Sequence, residues 1–103
     1  MSVEYVLTKA AAADLREIIR FTRKRWGDSQ ALSYVSSLRN GIEQLVAGIS
    51  VAKDVSELYP NLRALHCQSH YIFYLPRDQA PALVIAILHE RMDWIARVAK
   101  RLV

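Results

Sequence analysis

The sequence has few of the residues that form disulfides and long loops, and it has no long apolar run. Its single cysteine, Cys67, excludes an internal disulfide framework and a multi-cysteine metal site. Three glycines and three prolines among 103 residues predict short loops. The longest uninterrupted apolar run, Ala82 to Leu88, is far shorter than the about 20 residues that cross a bilayer. The first residues lack the basic end and apolar core of a signal peptide, so we expect a cytoplasmic protein.

The composition that is present is typical of a folded protein. Hydrophobic residues make up 52% and charged residues 23%, and the length suits one domain over residues 1–103. The net charge is +4, which fits either nucleic acid or an acidic protein partner. Because the cations form no basic tail, we expect no direct DNA binding by this chain alone.

The first half of the chain predicts a strand and two helices. Val3, Tyr5 and Leu7 alternate with other positions, as in a strand with one buried face. Thr8 can cap a helix that continues through an alanine-rich stretch to Trp26. The predicted apolar stripes comprise Leu15, Ile18, Ile19, Thr22 and Trp26 in the first helix and Leu32, Val35, Leu38, Ile42, Leu45, Val46 and Ile49 in the second.

A glycine followed by an aspartate separates the two helices. Gly27 suits the left-handed residue after a helix, and Asp28 suits the cap of the next, which is predicted from about Ser29 to Ala47. So short a link predicts an antiparallel helical hairpin. Gly41, inside the second helix, is expected to allow close contact with the first helix.

The second half predicts three strands and a last helix. Residues 50–61 are polar and indicate a connection with one turn of helix. Leu62 to Cys67 and His70 to Leu75 are separated by the length of a tight hairpin turn. Ala82 to His89 is continuously apolar, as in a central strand covered on both faces. With a short helix capped by Asp93, the order predicts an α+β fold: N-terminal strand, helical hairpin, three-stranded antiparallel meander and C-terminal helix.

Four segments carry a family resemblance. They read YVLTKAAAADLREI, RWGDSQA, NLRALHCQSHYIFY and ILHERMD, and their order and spacing extend over essentially the whole chain. On these segments the chain resembles the ParE branch of the RelE/ParE toxin superfamily. The resemblance implies a helical hairpin packed on a small antiparallel sheet. It also implies a ParD-like antitoxin that wraps the toxin, and DNA gyrase as the usual target.

An RNA-cleaving relative needs cations that hold the scissile phosphate and groups that move protons. The candidates are Arg63, His89 and Arg91. Their structural alternatives are an Arg paired with a carboxylate at the sheet edge, a His satisfied by a backbone group and an exposed turn Arg. RNA-cleaving relatives usually carry an Arg where this chain has Tyr71, and often a Tyr where it has Trp94. The resemblance therefore favours a non-catalytic toxin, with a ribosome-dependent mRNA endonuclease and an inactive binding module as alternatives.

Two sets of residues are expected to bind partners, although core packing and a solvated surface are the structural alternatives. Along the strand 70–75, Tyr71 and Phe73 face one way and Tyr74 faces the other. The expected antitoxin-binding residues are Trp26, Tyr71, Phe73 and Tyr74. The expected target-binding residues are Arg91, Arg97, Lys100 and Arg101.

No metal and no cofactor is expected. His66, His70 and His89 fall at three different strand positions, and no spaced set of carboxylates accompanies them. A Cys67–His70 nucleophile pair would sit on opposite sides of a tight turn. An inert, half-buried thiol is therefore the preferred interpretation of Cys67.

Overall fold

The computed structural model describes residues 5–49 and 51–102, which form five strands and three helices. In chain order these are β1 (Tyr5–Leu7), α1 (Lys9–Trp26), α2 (Asp28–Val46), β2 (Lys53–Asp54), β3 (Arg63–Cys67), β4 (His70–Leu75), β5 (Ala82–His89) and α3 (Trp94–Arg101). This order confirms the predicted α+β fold. Val3 of the predicted first strand and Ser50 of the predicted connection lie outside the described residues. No helix in the described part is long and apolar enough to span a membrane.

The five strands form one mixed sheet in the order β1-β5-β4-β3-β2. β3, β4 and β5 make the predicted antiparallel meander, and β1 joins it parallel to β5. The turn between β3 and β4 has the predicted two residues, with Gln68 in the left-handed region at φ 57°. β2 pairs with β3 inside the stretch predicted to hold a helical turn. β2 was not predicted, because two polar strand residues give no period to detect. The stretch also contains a hydrogen-bonded turn, in which the Leu58 N–H donates to the Val55 carbonyl at 2.9 Å.

A single residue links α1 to α2. The Thr8 Oγ1 accepts the Ala11 N–H at 3.1 Å, which confirms the predicted cap of α1. Gly27 ends α1 at φ 94°, a region that favours glycine, and also precedes the first residue of α2. The prediction that Asp28 caps α2 is therefore wrong. Asp28 begins the helix instead, and its carboxylate pairs with the Arg23 Nε at 3.0 Å.

Apolar cores lie on both faces of the sheet. The core beneath α1 and α2 contains Ala11, Ile18, Leu38, Ile42, Leu45, Ile72, Tyr74, Ala82, Val84 and Ile87. The core on the opposite face, beneath α3, contains Val55, Leu62, Ala64, Phe73, Ile85, Ala86, Leu88 and Val98. β5 contributes to both cores, which confirms that it is a central strand covered on both faces.

Three predicted core positions lie in solvent. Trp26, Leu32 and Ile49 have 64%, 72% and 74% of their surface exposed. Leu32 follows the buried Ala31, so it points about 100° away from the inward stripe of the helix. Trp26 is the last residue of α1, and Ile49 lies beyond the end of α2. The helical period therefore identified most of each stripe but wrongly included Leu32, and it did not show where the sheet stops covering the helix ends.

Gly41 was expected to contact the first helix, but it lies against β3. A Cβ at this position would stand 2.9 Å from the Cys67 Sγ and 3.6 Å from the Leu65 Cδ2. The thiol itself donates to the Ser37 carbonyl at 3.6 Å. Glycine therefore lets α2 approach the sheet closely at this strand.

Replacing Gly41 with Ala should change the stability by different amounts in two backgrounds. In a helix interior alanine is about 1 kcal/mol more favourable than glycine. Its methyl group, however, would displace the Cys67 thiol. In a Cys67→Ala background we expect Gly41→Ala to raise the free energy of unfolding by about 1 kcal/mol. In the wild-type background we expect a smaller gain or a loss. Urea unfolding of the four proteins measures the coupling, and equal effects in both backgrounds would contradict the steric account.

Candidate functional site

The three candidate catalytic residues lie at two ends of the sheet. Arg63 begins β3 opposite Tyr74 of β4, whereas His89 ends β5 opposite His70. Four residue steps along β4 separate these positions, which puts Arg63 roughly 13 Å from His89 along the sheet. Arg91 follows in the turn after β5. The fold does not bring the three groups into one site.

Arg63 is exposed at the start of β3. It lies opposite Asp54 of the edge strand β2. Hydrogen bonds from Ser56 lower the pKa of Asp54, with a smaller contribution from the Arg63 charge. Arg63 therefore lies beside a carboxylate near the sheet edge, and its role in catalysis or in structure stays a prediction.

His89 is held by the turn that follows it. Its Nδ1 accepts the Arg91 N–H at 3.1 Å, so a backbone group satisfies the ring as the structural alternative predicted. The ring also meets the His70 ring edge-on, with centroids 5.3 Å apart. The Arg91 side chain is exposed in the turn. These contacts fix the end of β5 and leave the Arg91 guanidinium at the surface.

His70 is tied to the second helix. Its Nδ1 lies 2.6 Å from the Tyr34 Oη, which also accepts the Ser69 N–H at 3.1 Å. Because the phenol oxygen already accepts an amide, we assign its hydrogen to the bond with His70. Burial, followed by the neighbouring His89, lowers the pKa of His70 to about 4. A neutral His70 thus joins the β3–β4 hairpin to α2.

A pair that the sequence did not reveal lies on the outer side of this hairpin. The His66 Nε2 stands 2.7 Å from the Glu90 Oε1, and both side chains are partly exposed. The Tyr71 ring stacks on His66 at 4.8 Å between centroids. No spacing rule joins His66 to Glu90, since the sheet order alone brings them together. The pair could move a proton, but Arg63 lies at the far end of the sheet.

Burial corrects two of the expected antitoxin contacts. Phe73 is fully buried and Tyr74 is 7% exposed, because the chain covers both with its own elements. Trp94 lies 5.5 Å from Phe73 and 5.7 Å from Tyr71, measured between ring centroids. Tyr74 belongs to the core beneath α1 and α2, and Phe73 belongs to the core beneath α3. This confirms that the two side chains face opposite ways. Trp26 and the half-buried Tyr71 are the members of the set that a partner could reach.

The cations of α3 are not equivalent. Val98 packs on the sheet with Trp94 and Leu102, while Arg97 and Lys100 are exposed. Arg101 does not join that exposed face, contrary to the expectation. Its guanidinium holds Asp14 of α1 with two hydrogen bonds, the one from Nη2 to Oδ1 being 2.7 Å. Asp14 raises the pKa of Arg101, so the cation stays charged.

Cys67 has the properties of an unreactive thiol. Burial raises the pKa of its Sγ–H, and the thiol donates to the Ser37 carbonyl. Its neighbour across the turn, His70, is engaged by Tyr34. No group of three His, Cys, Asp or Glu side chains within the described ranges could hold a metal ion.

Known proteins resemble this chain over most of its length. The model for the ParE toxin of the type II toxin–antitoxin system parDE matches residues 5–94. The chain belongs to the ParE toxin family. A Toxin ParE of Escherichia coli is 55% identical over 98 residues, which cover 95% of either chain. Toxin ParE1 of Mycobacterium tuberculosis is 37% identical over 93 residues, covering 90% of this chain and 95% of that relative.

A solved structure gives the same fold. A chain from the chromosomal ParDE toxin–antitoxin system of P. aeruginosa matches with a TM-score of 0.70. The match covers 85% of this chain and 96% of that chain, at 18% sequence identity. It supports the α+β arrangement of sheet and helices independently of the closer sequence relatives.

The depressed pKa of His70 predicts a loss of stability in acid. The folded pKa of about 4 lies below the ordinary value of 6.5, so the neutral ring contributes fully above pH 6.5. That contribution disappears as the pH falls from 6.5 towards 4. One group allows at most about 1.4 kcal/mol per pH unit, and partial exposure reduces the slope.

The variant His70→Asn tests this dependence. Its amide oxygen can still accept from Tyr34 but does not titrate. We expect the free energy of unfolding of the variant to change less than that of the wild type across this pH range. Urea unfolding at several pH values measures both curves. Parallel curves would mean that His70 does not carry the acid sensitivity.

Proposed function

We propose that this ParE-family chain acts by binding DNA gyrase without catalysis, and that a ParD-like antitoxin neutralises it. The observation that carries the proposal is the separation of Arg63 from His89 and Arg91. An RNA-cleaving site needs phosphate-binding and proton-moving groups within reach of one phosphate. Roughly 13 Å of backbone along the sheet lies between Arg63 and His89, so the strand register does not hold their functional groups together at one phosphate. Gyrase as the target comes from the family resemblance.

Tyr71 and Trp94 add a second argument against cleavage. They stand where RNA-cleaving relatives usually carry an Arg and often a Tyr. Here their rings pack together on the α3 face of the sheet. Neither can bind a phosphate as a cation does, and the indole has no acidic hydroxyl. The same face therefore offers aromatic contact area in place of a phosphate clamp.

The surface suits a partner that covers apolar groups and carries negative charge. Trp26, Phe21, Leu32 and Ile49 are each more than half exposed. The net charge of +4 favours an acidic partner. An antitoxin segment that folds onto these side chains would bury them and be attracted by the cations. The related P. aeruginosa chain comes from a ParDE system, which agrees with this partner class.

The alternative function, a ribosome-dependent mRNA endonuclease, is favoured by one observation. The His66–Glu90 pair is short and accessible to solvent, as a proton-transfer pair must be. If this pair were catalytic, its cation would have to come from the turn that holds Arg91 or from the ribosome. The two functions therefore predict different substrates and different sensitive residues.

Parallel assays separate the two functions. The chain is added to gyrase in a supercoiling reaction and to translating ribosomes whose mRNA 5′ ends are then mapped. We expect supercoiling to stop while mRNA remains uncut. Codon-specific cuts that vanish in His66→Ala, Glu90→Ala or Arg63→Ala would contradict the proposal and establish the endonuclease.

The exposed cations of α3 are proposed to contact the target. Changing both Arg97 and Lys100 to Ser, with Arg101 retained for the fold, should weaken gyrase inhibition about tenfold or more. Added salt should also weaken wild-type inhibition, since exposed charges are screened beyond about 10 Å at 0.1 M. The matched control changes Lys9 and Arg16 to Ser, which removes the same charge from α1. Equal inhibition by both double variants would rule out a specific contact at α3.

A further inference from the structure

One edge of β5 is only partly covered by a strand. β1 pairs with the beginning of β5, and the pairing ends where Leu7 meets Val84. The Thr8 N–H then donates to the Val84 carbonyl at 3.0 Å, and the chain turns into α1. Beyond this point the Ile85 carbonyl and the Ile87 N–H have no β1 partner. An unpaired strand edge of this kind is a template for another strand.

A bulge lies at the start of this open edge. Tyr74 of β4 is opposite Val84, whereas the preceding Phe73 is opposite Ala86. Ile85 is therefore the extra residue in β5. Its carbonyl accepts from the Thr8 hydroxyl at 3.5 Å on the β1 side of the strand. Bulges at sheet edges disturb the regular ladder, but one bulge does not occupy the remaining hydrogen-bonding groups.

Two charged side chains occupy those groups. The Asp14 Oδ2 accepts the Ile87 N–H at 2.9 Å. The Arg101 Nη1 donates to the Ile85 carbonyl at 3.1 Å, and the same guanidinium binds the Asp14 carboxylate. Each member of the ion pair thus holds one main-chain group and the other member. The pair thus replaces, with side chains, two of the hydrogen bonds that an added strand would make at the start of the open edge.

The ion pair passes around the edge of the sheet. Asp14 belongs to α1, which packs on one face, and Arg101 belongs to α3, which packs on the other. The side chains are 15% and 23% exposed, so loss of either would leave a largely buried charge unpaired. Both layers are therefore connected at the point where the β5 edge is open.

We propose that the Asp14–Arg101 pair is a strap that closes the β5 edge against strand pairing with a second copy of this chain. Two such edges are identical, so they can pair about a twofold axis with the same groups contributed by each copy. The adjoining β5 residues are apolar on both faces, as in a strand at the centre of a sheet. In a sample of the purified protein, a second copy of the chain supplies the strand that could pair with this edge.

The test removes the acidic half of the strap. Asp14→Ala takes away the acceptor of the Ile87 N–H, and alanine suits the helix α1. Hydrogen exchange of the Ile87 amide is followed by NMR at low and high protein concentration, with mass measured by light scattering. The matched control is Glu17→Ala, which removes an acidic residue of the same helix whose ion pair with Arg20 is exposed.

We expect the Ile87 amide of Asp14→Ala to exchange about tenfold faster or more at low concentration. At high concentration the protein should dimerise and the amide should become protected again. The control should behave as the wild type. Wild-type exchange in a folded Asp14→Ala would overturn the strap, and fast exchange in a protein that stays monomeric would overturn the strand pairing. If Asp14→Ala does not fold, the same readouts on the double variant Asp14→Ala with Arg101→Met decide, since it frees the Ile87 N–H and leaves neither charge buried without its partner.

Discussion

The burial of β5 is the constraint on which the structure depends. This strand of eight residues contributes side chains to both cores, so both faces must be covered by other elements. The helical hairpin covers one face, and α3 with residues 55–62 covers the other. The neighbouring strands β4 and β1 pair with the two edges of β5, but β1 is too short to pair with the second half of β5. The ion pair between Asp14 and Arg101 extends the enclosure, because it satisfies the Ile87 N–H and the Ile85 carbonyl on this edge.

This enclosure also limits the chemistry of the molecule. Covering the second face of β5 places Trp94 over Phe73 and beside Tyr71, so that face is filled with aromatic rings. Closing the edge engages Arg101 inside the fold and leaves Arg97 and Lys100 at the surface. The antiparallel meander separates Arg63 from His89, since they stand opposite distant residues of β4. A binding surface of exposed cations and apolar side chains is compatible with each of these consequences.

Periodicity and caps predicted most of the fold, because they are local properties. The continuous apolar run of β5, the Thr8 cap and the Gly27 break each gave an element or a boundary. The family resemblance gave the order of layers. Local patterns could not predict β2, whose two residues have no period, or the neighbour of Gly41, which depends on where α2 crosses the sheet.

The site was less predictable, because its contacts join residues far apart in sequence. Arg101 has the helical position of a surface cation, and its partner Asp14 lies 87 residues away. His66 and Glu90 meet because of strand order. Phe73 and Tyr74 were recognised as facing opposite sides of the strand. Whether the chain itself or a partner covered them depended on where α1, α2 and α3 pack.

The central claim is that the chain acts by occupying its target and not by turning over a substrate. Titration of the chain into a fixed amount of gyrase, with supercoiling as the readout, tests this most directly. Binding predicts that inhibition rises in proportion to the added chain, saturates near stoichiometric amounts and is reversed when an antitoxin is added. Complete inactivation by amounts far below the amount of gyrase, persisting after the antitoxin is added, would contradict the claim.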